Sequence, residues 1–224
     1  MRVQPLQFPP ANRPAKIICI GLNYRDHAIE SKMEIPTSPV IFAKFPSCVI
    51  GHEEAVLLPP GSNQVDYEAE LAVVIGRRAQ RVSAANAMQH VLGYTCANDV
   101  SARDFQFADG QWTRGKACDT FAPLGPYLVM ADDIGDVHEL RIQLRLNGET
   151  MQDSSTSQLI FRIPELIAFL SASITLEPGD VILTGTPPGV GFARKPPVFL
   201  KTGDVMEVEI EKIGILRNRV ESAV

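Results

Sequence analysis

The chain has no C-x-x-C pair: its four cysteines, Cys19, Cys48, Cys96 and Cys118, stand far apart. That spacing argues against a zinc site built of thiolates. The N-terminus, Met-Arg-Val-Gln-Pro-Leu-Gln-Phe-Pro-Pro, has no apolar core of the kind a signal peptide needs. Isolated cysteines without such a signal fit reduced thiols, and a cytoplasmic protein is expected. Charge or proline interrupts every long apolar stretch, so neither a transmembrane helix nor a membrane partner is expected. No run of basic residues is present, and 26 acidic against 21 basic side chains give a net charge of −5. A nucleic-acid partner is therefore not expected. No linker-like segment divides the interior, and there is no repeat beyond one pair of similar turns.

Hydrophobic residues make up 45% of the 224 positions, enough for a substantial core. Residues 1–15 hold four of the 17 prolines and read as an extended lead-in; residues 16–224 read as one domain. Short apolar runs predict strands at 16–21, 39–44, 56–58, 91–98, 124–130, 140–147, 181–184 and 205–210. Asn147-Gly148 is a hairpin turn signal. Asn23 is placed to cap a helix over 24–31, with Asp26 in its first turn, and Ser83 to cap one reaching His90. Pro164 opens a helix running to Ser171. Residues 31–39 read as a proline-broken loop and residues 101–122 as mostly irregular. Glu177-Pro178-Gly179-Asp180 and Lys201-Thr202-Gly203-Asp204 are similar turns, each feeding a strand. Many short strands with few helices indicate an α+β, β-dominated fold.

The densest chemistry lies in Asp66-Tyr67-Glu68-Ala69-Glu70, which runs into Leu71-Ala72-Val73-Val74-Ile75. Read as a strand, it puts the three carboxylates on one face, neighbours ~6–7 Å apart. Like charges that close to an apolar run repel and lose solvation, and a hard divalent cation would turn that cost into binding. Asn98-Asp99 follows another apolar stretch, so Glu68, Glu70 and Asp99 could meet if two strands end side by side. Three monodentate oxygens leave about three positions of an octahedron open, as a catalytic ion needs. Asp66 carries less weight. A solvated strand face at a sheet edge is the plain alternative for the whole group.

His27 and Glu30 stand at i and i+3 of the predicted helix, where a carboxylate can hold an imidazole as a general base. An exposed helical ion pair accounts for the same spacing. Gly185-Thr186-Pro187-Pro188-Gly189-Val190-Gly191 lacks the Lys-Ser/Thr of a phosphate loop. It reads instead as a tight strand-end loop whose amides and Thr186 hydroxyl can hold a carboxylate, with a rigid turn that binds no ligand as the plain alternative. Arg103, Gln106, Arg114 and Lys116 follow Asp99 and suit an anionic substrate or a developing oxyanion. Trp112 and Phe105 read as packing residues, and His52, His90 and His138 are given no role.

Six segments, taken together, resemble the fumarylacetoacetate hydrolase family. They are Gly21-Leu22-Asn23-Tyr24-Arg25-Asp26-His27 with Glu30, Asp66–Leu71, Asn98–Asp104, Arg114–Phe121, Leu183–Gly191 and Ile213–Val220, in family order. The resemblance implies a mixed β-sheet roll of the family's C-terminal domain type with flanking helices, usually a homodimer. It implies Mg²⁺ or Mn²⁺ on Glu68, Glu70 and Asp99, and a substrate whose 2-oxo acid end chelates the ion. His27 and Glu30 match positions that activate water in hydrolytic members. Lys116 matches a lysine near the substrate, and Arg103, Gln106 and Thr186 match substrate contacts. The segment 31–39 corresponds to a region that closes over the site.

The expected function is a metal-dependent hydrolase cleaving a C–C bond of acylpyruvate-type 2,4-dioxo acids, with oxaloacetate decarboxylation as a companion activity. The alternative is a decarboxylase or isomerase of 2-oxo-diene dicarboxylates in aromatic catabolism. Outside catalysis, the same residues suit a sensor of 2-oxo acids or a β-domain with structural calcium.

Overall fold

The computed structural model describes residues 3–6, 13–108 and 110–223; of the proline-rich lead-in, residues 1, 2 and 7–12 lie outside it. In chain order the strands are β1 (Val3–Pro5), β2 (Ile17–Gly21), β3 (Val40–Lys44), β4 (Val49–Ile50), β5 (Ala55–Leu58), β6 (Val65–Asp66), β7 (Ala69–Ile75) and β8 (Val91–Asn98). They continue with β9 (Ser101–Ala102), β10 (Ala122–Met130), β11 (Arg141–Leu146), β12 (Glu149–Ser155), β13 (Val181–Leu183), β14 (Val205–Ile210) and β15 (Gly214–Ser222). The helices are α1 (Arg25–Ser31), α2 (Ala84–Ala87), α3 (Arg103–Ala108), α4 (Thr113–Lys116), α5 (Ala131–Ile134) and α6 (Ile163–Ser171).

One mixed sheet runs β1-β10-β8-β7-β13-β2-β3, with β4 paired onto β10. A second runs β12-β11-β14-β15-β5, and β6 pairs with β9 in a short ribbon. This is the expected β-dominated α+β architecture. Leu71, Val73 and Ile75 of β7 share a core with Ile142, Leu144, Val208 and Leu216 of the second sheet and with Leu166, Ile167 and Leu170 of α6. On its other face β7 buries Ala72 and Val74 with Ile17, Cys19, Leu124 and Leu183. Each aliphatic side chain fully buried this way contributes roughly 1.5–3 kcal/mol. Burial on both faces explains why Leu71–Ile75 of β7 is an unbroken apolar run. It also removes the solvated edge-strand account of the neighbouring carboxylates.

Asn147 and Gly148 both take positive φ, 53° and 84°, in the turn that joins β11 to β12. Asp180 and Asp204 close the two similar turns, each accepting a 2.7 Å bond from the backbone N–H three residues back, of Glu177 and Lys201.

Three local expectations change. Tyr24, not Asn23, is the N-cap of α1, and no side chain caps that helix. The Asn23 amide instead donates to the carbonyls of Thr184 (2.8 Å) and Phe161 (3.1 Å) and accepts from the Phe161 N–H (2.8 Å). A buried amide satisfied by two distant segments outcompetes an exposed cap. Ser83 precedes α2, which continues as a 3₁₀ turn to His90, but its hydroxyl makes no capping bond. Residues 101–122 are not mostly irregular, for they contain β9, α3 and α4. Those helices are too short to register a period. Gly115, which reads as a breaker, is required where they cross: a Cβ there would sit 2.5 Å from the Gln106 nitrogen. Among the described residues no helix is long and apolar enough to cross a membrane.

Candidate active site

β7 begins where its antiparallel neighbour β8 ends, with Ala69 opposite Asn98. The Asp99 N–H donates to the Glu68 carbonyl (2.8 Å), and the Glu68 N–H donates to Asn98 Oδ1 (2.9 Å). Crossing the strand ends this way brings carboxylate oxygens of Glu68, Glu70 and Asp99 within 4.8 Å of one another, all three residues buried. Asp66 does not join them. The chain leaves strand geometry at Tyr67 and Glu68, so simple alternation is not kept. The Asp66 carboxylate accepts instead from the N–H groups of Tyr67, Gly191 and Phe192 and from Nε and Nη2 of Arg103.

Three buried cations face this cluster. Lys116 Nζ donates to Glu68 Oε2 and Asp99 Oδ2, both at 2.8 Å, and Arg103 Nη2 bonds Glu68 Oε1. Burial opposes the Glu68 charge, but Lys116 and Arg103 outweigh it and hold that carboxyl down at about 2. Burial depresses the Lys116 ammonium, yet Asp99 and Glu68 leave it raised overall. Among the described residues Glu70 makes no ion pair. Burial, then the charges of Asp99 and Glu68, push its pKa well above the usual carboxylate range against the opposing charge of Lys116, and its Oε2 accepts the Gly185 N–H (2.6 Å).

Lys44, which sequence reasoning missed, lies with its Nζ 2.6 Å from Asp99 Oδ1. Its three N–H bonds go to the carbonyls of Val100, Lys116 and Phe121. Asp99 Oδ1 thus feels the charge of Lys44 while taking no hydrogen bond. A buried oxygen with an unused lone pair, beside a buried carboxylate lacking a counter-ion, is what a hard divalent cation would satisfy. The residues fit a divalent metal ion.

The cluster forms the floor of a cavity of about 440 Å³. His27, Glu30, Glu68, Glu70, Arg103, Gln106, Lys116 and Thr186 all line it, and Asp99 lies buried behind. His27 Nδ1 is 3.0 Å from Glu30 Oε2. Glu30 also accepts the Gly189 N–H (3.0 Å), so the pair is docked on the loop rather than standing free on a helix surface. Gln106 Oε1 accepts from Arg103 Nη1 (3.1 Å). Thr186 Oγ1 accepts from Gln152 Nε2 (2.9 Å), another residue the sequence does not flag.

The loop after β13 departs from expectation. Its amides at Gly185, Gly189 and Gly191 already serve Glu70, Glu30 and Asp66, so they position the protein's own carboxylates rather than a ligand's. Trp112 is more than packing: it lines the cavity with Phe42, the two rings edge to face at 5.4 Å. Arg114 is not among the lining residues and lies over the Phe105 ring at 4.4 Å. His52, His90 and His138 lie outside the cavity lining.

A two-sheet β-dominated domain with three clustered carboxylates that could hold a metal ion, beside a histidine–glutamate pair in one cavity, carries the site of an enzyme. The chain belongs to the fumarylacetoacetate hydrolase family: the family described as Fumarylacetoacetate (FAA) hydrolase C-terminal matches residues 16–221. It is 51% identical over 220 residues to a mitochondrial oxaloacetate tautomerase of Rattus norvegicus, covering 98% of this chain and 70% of that protein. A Homo sapiens mitochondrial oxaloacetate tautomerase is 52% identical over 213 residues, covering 94% of this chain and 68% of its own.

Two solved structures share the fold. The 5-carboxymethyl-2-hydroxymuconate delta-isomerase of Mycobacterium smegmatis superposes with a TM-score of 0.84 at 44% identity, covering 94% of this chain and 80% of its own. A fumarylacetoacetate hydrolase of Exiguobacterium antarcticum gives 0.88 at 40% identity, covering 95% and 76%.

Proposed function

We propose that this enzyme acts on short 2-oxo acids and that its basic step is keto–enol exchange, with oxaloacetate or a close analogue as substrate. The observation that carries the reading is the union of the carboxylate cluster and the His27–Glu30 pair in one cavity. Glu68, Glu70 and Asp99 would hold Mg²⁺ or Mn²⁺. Such an ion, when bound, supplies Lewis-acid polarisation to the 2-oxo acid end of the substrate.

Glu30 ties Nδ1 of His27, which leaves Nε2 to carry the proton in transit. The proton leaves carbon 3, its electron pair closes a double bond to carbon 2, and a proton is delivered to the 2-oxo oxygen. Lys116 and Arg103 favour the negative charge that develops there. Gln106 and Thr186 are suited to hold the substrate carboxylate. Phe42 and Trp112 keep bulk water from that side of the cavity.

The names of the Rattus norvegicus and Mycobacterium smegmatis relatives describe isomerisations and support exchange as the common step. A second reading, hydrolysis of the C–C bond of acylpyruvates, is favoured by the exposure of the pair: the His27 and Glu30 side chains remain 15% and 33% accessible, so water can reach them. Decarboxylation of oxaloacetate needs no added water and fits the same floor. We also propose a homodimer, supported by exposed Val40 and Ile41 on the sheet-edge strand β3. A cytoplasmic location is supported by four free cysteines.

The test follows the ultraviolet absorbance of enol-oxaloacetate with Mn²⁺, then with chelator, alongside pyruvate release from oxaloacetate and from acetylpyruvate. Metal-dependent enol loss without pyruvate is the expected result, falling at least a hundredfold in Asp99→Asn. Full activity in chelator and in Asp99→Asn would remove the metal from the reading. Metal-dependent cleavage of acetylpyruvate would move the assignment to the hydrolase.

A further inference from the structure

The cavity has two chemically different halves. Its floor carries Glu68, Glu70, Arg103 and Lys116, and its outer wall is Trp112, Phe107, Phe192 and Met33, with Phe42 joining the two, its ring 5.0 Å from Lys116 Nζ and 5.4 Å from the Trp112 ring. Phe107 lies in the last turn of α3 and Phe192 follows the loop after β13, yet their rings meet at 5.3 Å with an interplanar angle of 45°. They remain 53% and 46% exposed, and Met33 57%. Large apolar side chains gathered from three segments and left open around one cavity are an unfilled contact surface rather than a core.

The wall carries no charge for a second carboxylate. Among the described lining residues the Lys and Arg side chains are Arg103 and Lys116, and both are spent on the floor carboxylates. His27, the other basic group of the lining, is paired with Glu30. A four-carbon diacid bound by its 2-oxo end would leave the outer half of a cavity of about 440 Å³ empty.

We propose that the site also enolises 2-oxo acids that bear an aromatic ring on carbon 3, of the phenylpyruvate type, with the ring seated against Phe192, Phe107 and Trp112. This rests on the keto–enol reading of the floor given above. The carboxylate and 2-oxo oxygen occupy the same places as those of oxaloacetate. The carbon 3 proton passes to His27 Nε2, the bond pair forms the C2–C3 double bond, and the 2-oxo oxygen takes a proton. No oxidant or other reactant is needed. The ring sits where four aromatic side chains offer edge and face contacts, which favour a planar apolar tail over a carboxylate.

The experiment measures kcat/KM for enol-to-keto exchange of phenylpyruvate and of oxaloacetate, each corrected for its uncatalysed rate, with the intact chain and Mn²⁺. The parent is expected to use phenylpyruvate at least as well as oxaloacetate. Phe192→Arg, which puts a cation on the wall, lowers the phenylpyruvate-to-oxaloacetate ratio at least tenfold, and Phe107→Arg acts in the same direction. Both residues are half-exposed, and a thermal melt verifies that each variant folds. Turnover of oxaloacetate with phenylpyruvate left at its uncatalysed rate overturns this inference and leaves the floor reading standing. A ratio unmoved in both variants also overturns it. Silence on both substrates overturns the inference and the floor reading together.

Discussion

Replacing Lys44 by methionine keeps much of the side-chain volume and removes one charge. In the parent the ammonium bonds three carbonyls, of Val100, Lys116 and Phe121, and faces Asp99 Oδ1 at 2.6 Å, with both side chains fully buried. The variant strands three buried carbonyls and leaves Asp99 Oδ1 without its nearby charge. Each unsatisfied buried group costs about 1–3 kcal/mol, but the losses overlap, because water can enter. Breaking a buried ion pair by removing one partner costs about 3–5 kcal/mol, which bounds the net effect. For a chain of this size that corresponds to a fall in Tm of roughly 6–20 °C.

The assay is urea and thermal unfolding of parent and variant in chelator, repeated across a Mg²⁺ series. A divalent ion that neutralises Asp99 stabilises the variant more than the parent, by RT ln(1 + [Mg²⁺]/Kd) with a smaller Kd. The gap between the proteins should therefore narrow as Mg²⁺ rises. A chelated variant within about 1 kcal/mol of the parent would refute the view that Lys44 is the counter-charge fastening Asp99.

Three shorter predictions follow from other contacts. His27→Gln should cut turnover about 10²–10⁴-fold, whereas Glu30→Gln should cut it less and shift the pH–rate profile, since Glu30 acts by orienting Nδ1; equal losses with unchanged profiles would mean that Glu30 itself meets the substrate. Asp66→Asn weakens the pairing of Arg103 and the hold on the Gly191 and Phe192 amides, so KM should rise more than kcat falls, and an unchanged KM counts against it. Burial raises the Cys96 thiol from 9.0 to about 12. The fold therefore keeps a proton that the unfolded chain releases, so this stability is complete below pH 9 and is lost as the pH climbs toward 12. Cys96→Ala should flatten the urea-derived stability across that window, and identical slopes in the two proteins reject the assignment.

The strands were legible wherever a short apolar run had to be buried. β8 (Val91–Asn98) matches its expected bounds, and the Asn147-Gly148 turn closes the β11–β12 hairpin as its dihedral preference requires. The clustering of Glu68, Glu70 and Asp99 was legible for a different reason: three carboxylates adjoining apolar strands carry an electrostatic cost that sequence alone displays. Lys44 was not legible, because a lysine closing an apolar strand looks the same whether its head reaches water or three carbonyls. Asn23 was misread for a related reason. Local rules assign such a side chain to the nearest helix end, whereas its partners here lie 138 and 161 positions away in sequence. The Trp112 wall depends on which side of the cavity α4 and its flanking turn fall, which no local pattern encodes.

The loop after β13 lends amides to Glu70 (Gly185), Glu30 (Gly189) and Asp66 (Gly191 and Phe192). It thereby ties together the metal-side carboxylate, the support of the histidine and the anchor of Arg103. A length change in that loop would throw all three out of step at once. The wall opposite has no such coupling, because Phe107, Phe192 and Met33 reach the cavity through side chains that make no hydrogen bonds. The enzyme is thus divided into a part that must be inherited whole and a part that can be altered one residue at a time. Side-chain changes in the second part leave the carboxylate and histidine contacts of the first in register.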